Sequence, residues 1–144
     1  MTFYNVCPAE IESGGPELAH QMCHRLNDAG LEAYMYYIKS NDINPQDVNA
    51  SDKYIKYNTF HAKQLSEIEQ DTSVVVFNEG ATGLIPLIKH CHKVLWWMSV
   101  DNYLINTDGR DIDVIRKEVV LHLVQSKYAY EYLSLIHISE PTRR

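Results

Sequence analysis

Five consecutive residues, Ser73-Val-Val-Val-Phe77, restrict the possible folds more than any other part of the chain. Side chains along a strand point alternately to its two faces, so an unbroken β-branched run needs apolar cover on both sides. A sheet with one wet face would alternate apolar with polar residues, and this stretch does not. It reads as an inner strand of a parallel sheet, whose neighbours must be joined by long crossovers, usually helical. Asn78-Glu79-Gly80 follows and marks the carboxyl end of that strand.

The remainder of the chain has the matching rhythm. Phe3 to Cys7 is a first strand, and Ala9 to Gly15 is a loop closing on Ser13-Gly14-Gly15-Pro16. This loop is longer than the usual strand-to-helix connection, and paired glycines let backbone approach a ligand closely. Pro16 suits the first helical position, and the free amides of the first turn attract anionic or hydroxyl-rich groups. The helix predicted from Glu17 to Ala29 carries Leu18, Ala19, Met22, Cys23, Leu26 and Ala29 on one side, and Gly30 ends it. His20 and His24, four residues apart, fall opposite that stripe and read as a solvent-facing pair rather than metal ligands. His90-Cys91-His92 reads as surface.

Leu31 to Ile38 is the second strand. Ser40 to Asp52 is a polar loop, Lys53 to Asn58 a short third strand, and Phe60 to Glu69 a short helix carrying Leu65 and Ile68. Thr82 to His92 is helical in pattern, with Pro86 near its start. Lys93 to Val100 is a strand in which Trp96 and Trp97 face opposite sides. Asp111 to Lys117 is a short helix or loop, Val119 to Val124 the last strand, and Ser126 the N-cap of a helix starting at Lys127. The expected fold is α/β: a Rossmann-like, doubly wound, mainly parallel sheet with helices on both faces, forming one domain over residues 1–132.

Composition removes several function classes. A formal net charge of −6 lacks the basic excess of a nucleic-acid-binding module. Cys7, Cys23 and Cys91 are odd in number and widely spaced, so neither a disulfide framework nor a paired-cysteine metal site is suggested. The N-terminus has no basic start and no apolar signal core, which points to a cytoplasmic protein. Gly14-Gly15 lacks the third glycine of a dinucleotide fingerprint, and neither a Gly-Lys-Ser/Thr phosphate loop nor a Gly-x-Ser-x-Gly elbow occurs.

In an open α/β sheet, ligands bind outside the carboxyl ends of the strands. Those ends offer Ser13, Gly14 and Gly15; Asn78, Glu79 and Gly80; Ser99, Asp101 and Asn102; and Gln125 with Ser126. Two acids, several amides and hydroxyls and a glycine pair suit a polyhydroxylated ligand such as a sugar. Polar loops at strand ends are also the ordinary surface of any doubly wound domain.

Gly14-Gly15-Pro16-Glu17-Leu18, Tyr34-Met-Tyr-Tyr-Ile38, Val74-Val-Val-Phe-Asn-Glu79, Val94-Leu-Trp-Trp-Met-Ser-Val-Asp-Asn-Tyr103 and Leu121-His-Leu-Val-Gln-Ser126 together resemble the N-terminal half of bacterial GT-B glycosyltransferases of the capsular or surface polysaccharide type. The resemblance implies two Rossmann-like domains facing a cleft, with the acceptor held by this half and the nucleotide-sugar donor by a C-terminal half. It implies no metal and no cofactor beyond the nucleotide sugar as substrate, and a glycan or lipid-linked acceptor. The whole enzyme would work in the cytoplasm, with an option of peripheral association with the inner face of the membrane. Gly14 and Gly15 would line the cleft near the donor's phosphates or reacting sugar, and Glu79 with Ser99 to Asn102 would face the acceptor. Many relatives carry a histidine after the strand matching Lys93 to Met98, where this chain has Ser99-Val100-Asp101. Asp101 is then the first candidate for an acceptor-orienting or proton-accepting carboxylate, with Glu79 second. A cap on the following turn is an equal role for Asp101.

The family's donor-binding pair of glutamates, with seven residues between them, does not occur in this sequence. The last twelve residues, Leu133 to Arg144, resemble a translated transposon-type library adapter and are expected to be non-native, with the gene cut just after Tyr132. The chain is accordingly expected to be inactive alone. The alternative from another class is a stand-alone Rossmann-like module binding anions or nucleotides without catalysis. A flavodoxin-like regulatory domain is disfavoured, because the acidic pair of a phospho-receiver and a Ser/Thr-rich flavin phosphate loop are both absent.

Overall fold

A computed structural model describes residues 1–9, 14–40, 42–98, 112–124 and 127. Five strands, β1 (Thr2–Pro8), β2 (Glu32–Ile38), β3 (Ser73–Asn78), β4 (His92–Trp97) and β5 (Leu121–Val124), form one sheet in the order β2-β1-β3-β4-β5. All four pairings are parallel. The expected α/β, Rossmann-like architecture is present. Order along the sheet reverses between β1 and β3, an arrangement that flavodoxin-like folds also use.

The apolar pattern of each strand decides which layer covers it. On one face, Cys7, Ala33, Met35 and Tyr37 pack against Ala19 and Cys23 of helix α1 (Gly14–Asp28). On the other, Tyr4, Val6, Tyr36, Val75, Phe77, Leu95 and Trp97 form the main core with Ala81, Leu84, Ile85 and Ile88, and with Ile115 of helix α2 (Ile112–Glu118). Trp96 and Trp97 do part to opposite faces. Trp97 is fully buried in the main core, while Trp96 is half-buried beside Val94, Leu123 and Met22 on the α1 side. The β-branched run of β3 is buried on both faces, as its sequence requires.

Three segments differ from expectation. Lys53 to Asn58 is not a strand but a 3-10 turn, Ile55–Tyr57, ending at Asn58 with φ 51°. Three residues per turn place Tyr54 and Tyr57 on one side, where both rings stack on His20; a strand would have left them an odd number of residues apart, on opposite faces. The outer edge of β2 is taken instead by the next stretch, with Met35 N–H donating to the Phe60 carbonyl (2.8 Å) and Ala62 N–H to that of Met35 (2.9 Å). Phe60 to Glu69 is therefore extended at its start and holds only the 3-10 turn Leu65–Glu67, closed by a Gln64–Glu67 capping box. Thr82 to His92 is replaced by a 3-10 segment, Glu79–Leu87, begun by Asn78 and containing Pro86. Proline has no N–H for a longer helical ladder, and the chain is extended again by Ile88. Among the described residues no helix is long and apolar enough to cross a membrane.

Candidate functional site

The carboxyl ends of β1, β3 and β4 are tied to one another by a short chain of contacts. Asn78, the last residue of β3, donates from Nδ2 to the Val6 carbonyl of β1 at 3.4 Å, while its Oδ1 accepts the Gly80 N–H at 2.9 Å. Glu79 is buried, and its Oε1 accepts the N–H of Met98, the residue after β4, at 2.8 Å. Met98 Sδ in turn lies 3.4 Å from where a Cβ on Gly15 would stand. Gly15, Asn78, Glu79 and Met98 thus belong to one neighbourhood at the point where strand order reverses. In a parallel sheet this is where the crossovers leave in opposite directions and open a crevice.

The glycine pair has a specific local character. Neither Gly14 nor Gly15 has a positive φ, so the backbone does not demand glycine there. A Cβ on Gly14 would meet no atom within 4 Å. Absence of side chains keeps space open over the first turn of α1, whose amides have no helical partner of their own. The helix begins at Gly14, with Pro16 its third residue, still inside the turn where a missing N–H costs nothing.

Of the residues expected to form the site, Gly14, Gly15, Asn78 and Glu79 come together in this way. Ser13, Ser99, Asp101, Asn102 and Ser126 lie outside the described residues. Glu79 joins the ends of β3 and β4 through its Met98 contact, so one of its carboxylate oxygens already has a structural task. A separate open groove of about 390 Å³ runs along the flank of α1, lined by Leu18, Gln21, Met22, Arg25, Leu26 and Trp96. Leu18, Met22 and Leu26 of the predicted apolar stripe face this groove, while Ala19 and Cys23 face the sheet. Ala29, placed on the same stripe, is exposed.

The histidine pair is corrected in half. His24 is partly exposed, with Nε2 3.1 Å from Asp28 Oδ2. His20 is not solvent-facing: it is 1% exposed and held at both ring nitrogens. The crossover from β2 folds over α1 and buries it, an effect that helical periodicity within α1 does not contain. His90 and His92 are exposed as expected, and Cys91 is half-buried. Among the described residues no group of three or more His, Cys, Asp or Glu side chains is arranged to hold a metal.

Burial pushes the Cys7 and Cys23 thiols up to about 12 and Cys91 up to about 11. At neutral pH they stay protonated and are poor nucleophiles. The chemistry available at the strand ends is therefore that of backbone amides, side-chain amides and a carboxylate, which bind and orient hydroxyls and anions. Comparison with protein-family models, with curated proteins and with solved structures returns no match.

Proposed function

We propose that the chain is the acceptor-side half of a GT-B type glycosyltransferase that moves a sugar from a nucleotide-sugar donor to a glycan or lipid-linked acceptor in surface polysaccharide synthesis. The observation that carries this reading is the meeting of Gly15, Asn78, Glu79 and Met98 at the β1–β3 reversal, with open space above Gly14. Open space over helix-terminal amides, beside an amide and a carboxylate, suits a polyhydroxylated ligand better than a flat or apolar one. Asp101, three residues beyond Met98, remains the first candidate for orienting or deprotonating the acceptor hydroxyl, followed by Glu79.

Transfer of labelled sugar from nucleotide sugars to lipid-linked acceptors tests the proposal. The expected outcome is no turnover by this chain alone, and turnover once it is continued by a nucleotide-sugar-binding domain. Transfer by the chain alone would overturn the division of labour proposed.

The strand order favours one second reading, a stand-alone module that binds a phosphate-bearing ligand at the same reversal point. Calorimetry separates the two. Heat on adding inorganic phosphate or a nucleotide, with none on adding oligosaccharide, would favour the module.

A further inference from the structure

The first turn of α1 has little of its own to hold it in place. Gly14 and Gly15 carry no side chain and disfavour helix, and Pro16 brings no N–H. The amides of Gly14 and Gly15 have no partner within the helix, so a fixed place for them must come from outside it. The crossover that joins β2 to β3, residues 39–72, supplies that support at the two residues that follow the glycine pair.

The Pro16 carbonyl lies 2.7 Å from His20 Nδ1, and His20 Nε2 lies 2.7 Å from the Tyr37 hydroxyl. A carbonyl can only accept, so Nδ1 carries the proton. Burial keeps the His20 pKa below its ordinary value, so the ring is neutral at pH 7 and Nε2 accepts from Tyr37. Tyr54, on the crossover, is stacked on the same ring with 4.6 Å between centroids. The Glu17 carboxylate accepts from the Tyr57 hydroxyl, which also takes a bond from Gln21 Nε2 at 3.1 Å. Lys56 Nζ stands 3.9 Å from the same Glu17 oxygen. One short 3-10 turn and its N-cap thus reach residue 16 through His20 and residue 17 directly.

We propose that residues 54–57 of the crossover are a positioning device for the candidate site, acting on the Gly14 and Gly15 amides through His20 and Glu17. His20 is the relay. Its Nδ1–H form ties the Pro16 carbonyl to Tyr37 and offers a flat face to Tyr54, whereas the other neutral tautomer would turn a lone pair toward that carbonyl. Glu17 is the second hold, with one carboxylate oxygen committed to Tyr57 and Lys56. Amides ordered before a ligand arrives spare it part of the entropy cost of binding. That these amides meet a sugar rests on the function proposed above; that the crossover holds them does not.

Nitrogen NMR of the isotope-labelled full chain tests the proposal. His20 is expected as the Nδ1–H tautomer at pH 7, and an Nε2–H ring would overturn it. Tyr57→Phe and Tyr37→Phe each remove one hydroxyl and keep the ring, and without ligand each is expected to move the Gly14 and Gly15 amide signals. His20→Asn keeps a donor for Pro16 but loses the link to Tyr37, so adding Tyr37→Phe to it should move those signals no further. Each tyrosine variant should also bind oligosaccharide about three-fold or more weakly. Glycine signals unmoved in both tyrosine variants, an equal Tyr37→Phe effect with and without His20→Asn, or unchanged affinity would overturn the proposal. Glycine signals that move in the variants while the wild type binds no oligosaccharide would uphold the positioning and remove the sugar reading instead.

Discussion

Asn5 is the residue whose surroundings fit it least. It sits at the centre of β1, in register with Met35 and Val76, 1% exposed, and neither its amide nitrogen nor its oxygen has a hydrogen-bond partner among the described residues. A buried unpaired amide costs about 1–3 kcal/mol. Asn5→Val is expected to raise stability by roughly 1 kcal/mol in thermal or urea unfolding; a loss of stability would show that the amide is satisfied. Gly14 separates stability from binding. With open space and no positive φ, Gly14→Ala should leave the unfolding midpoint unchanged or slightly higher. The added methyl should weaken oligosaccharide binding at the strand ends, and equal binding by both forms would remove Gly14 from the site. His20 carries a pH dependence of known sign. Its folded pKa lies below the unfolded value near 6.5, chiefly because of burial. Stability is therefore complete above about pH 6.5 and declines as the unfolded chain takes up the proton first. Urea midpoints measured at pH 7.5 and 5.5 should differ more for the wild type than for His20→Gln.

Among the elements, the crossover between β2 and β3 depends most on long-range partners. Tyr54 is 1% exposed and stacked on His20, so Tyr54→Ala should cost about 3 kcal/mol or more in chemical unfolding. A loss below about 1 kcal/mol would mean that the crossover is not anchored by this ring. The strands were legible in the sequence because their apolar runs state their own burial: Val74 to Phe77 needs no partner to be recognised as an inner strand. The stretches at 53–58, 60–69 and 82–92 were not legible, because each is short and its state is chosen by what it meets. Tyr54 and Tyr57 turn toward His20, Phe60 to Ala62 pair with the edge of β2, and Pro86 limits the segment after Glu79. Part of the candidate site was readable for a topological reason, since residues such as Gly14, Gly15, Asn78 and Glu79 stand at strand ends in any parallel sheet. That Glu79 would bond Met98, or that residue 20 would meet residues 37, 54 and 57, could not be read from local spacing. The tyrosine-rich stretches around Tyr34 to Tyr37 and Tyr54 to Tyr57 were the one available sign that a buried histidine had hydroxyl and ring partners.

At the scale of the whole molecule, the sheet order places its reversal between β1 and β3, and the described candidate residues gather there. The flank of α1 offers a different hollow, built from Leu18, Met22, Leu26 and Trp96. The two places make opposite demands on a ligand, one polar and helix-terminal, the other mostly apolar. The account rests on the first. Amide chemical-shift mapping of the isotope-labelled chain, titrated with a set of neutral oligosaccharides, tests it most directly. The account predicts that the amides of Gly14, Gly15, Asn78, Gly80 and Met98 move together. Shifts confined to the α1 flank around Met22 and Trp96, or no shifts with any oligosaccharide, would contradict it.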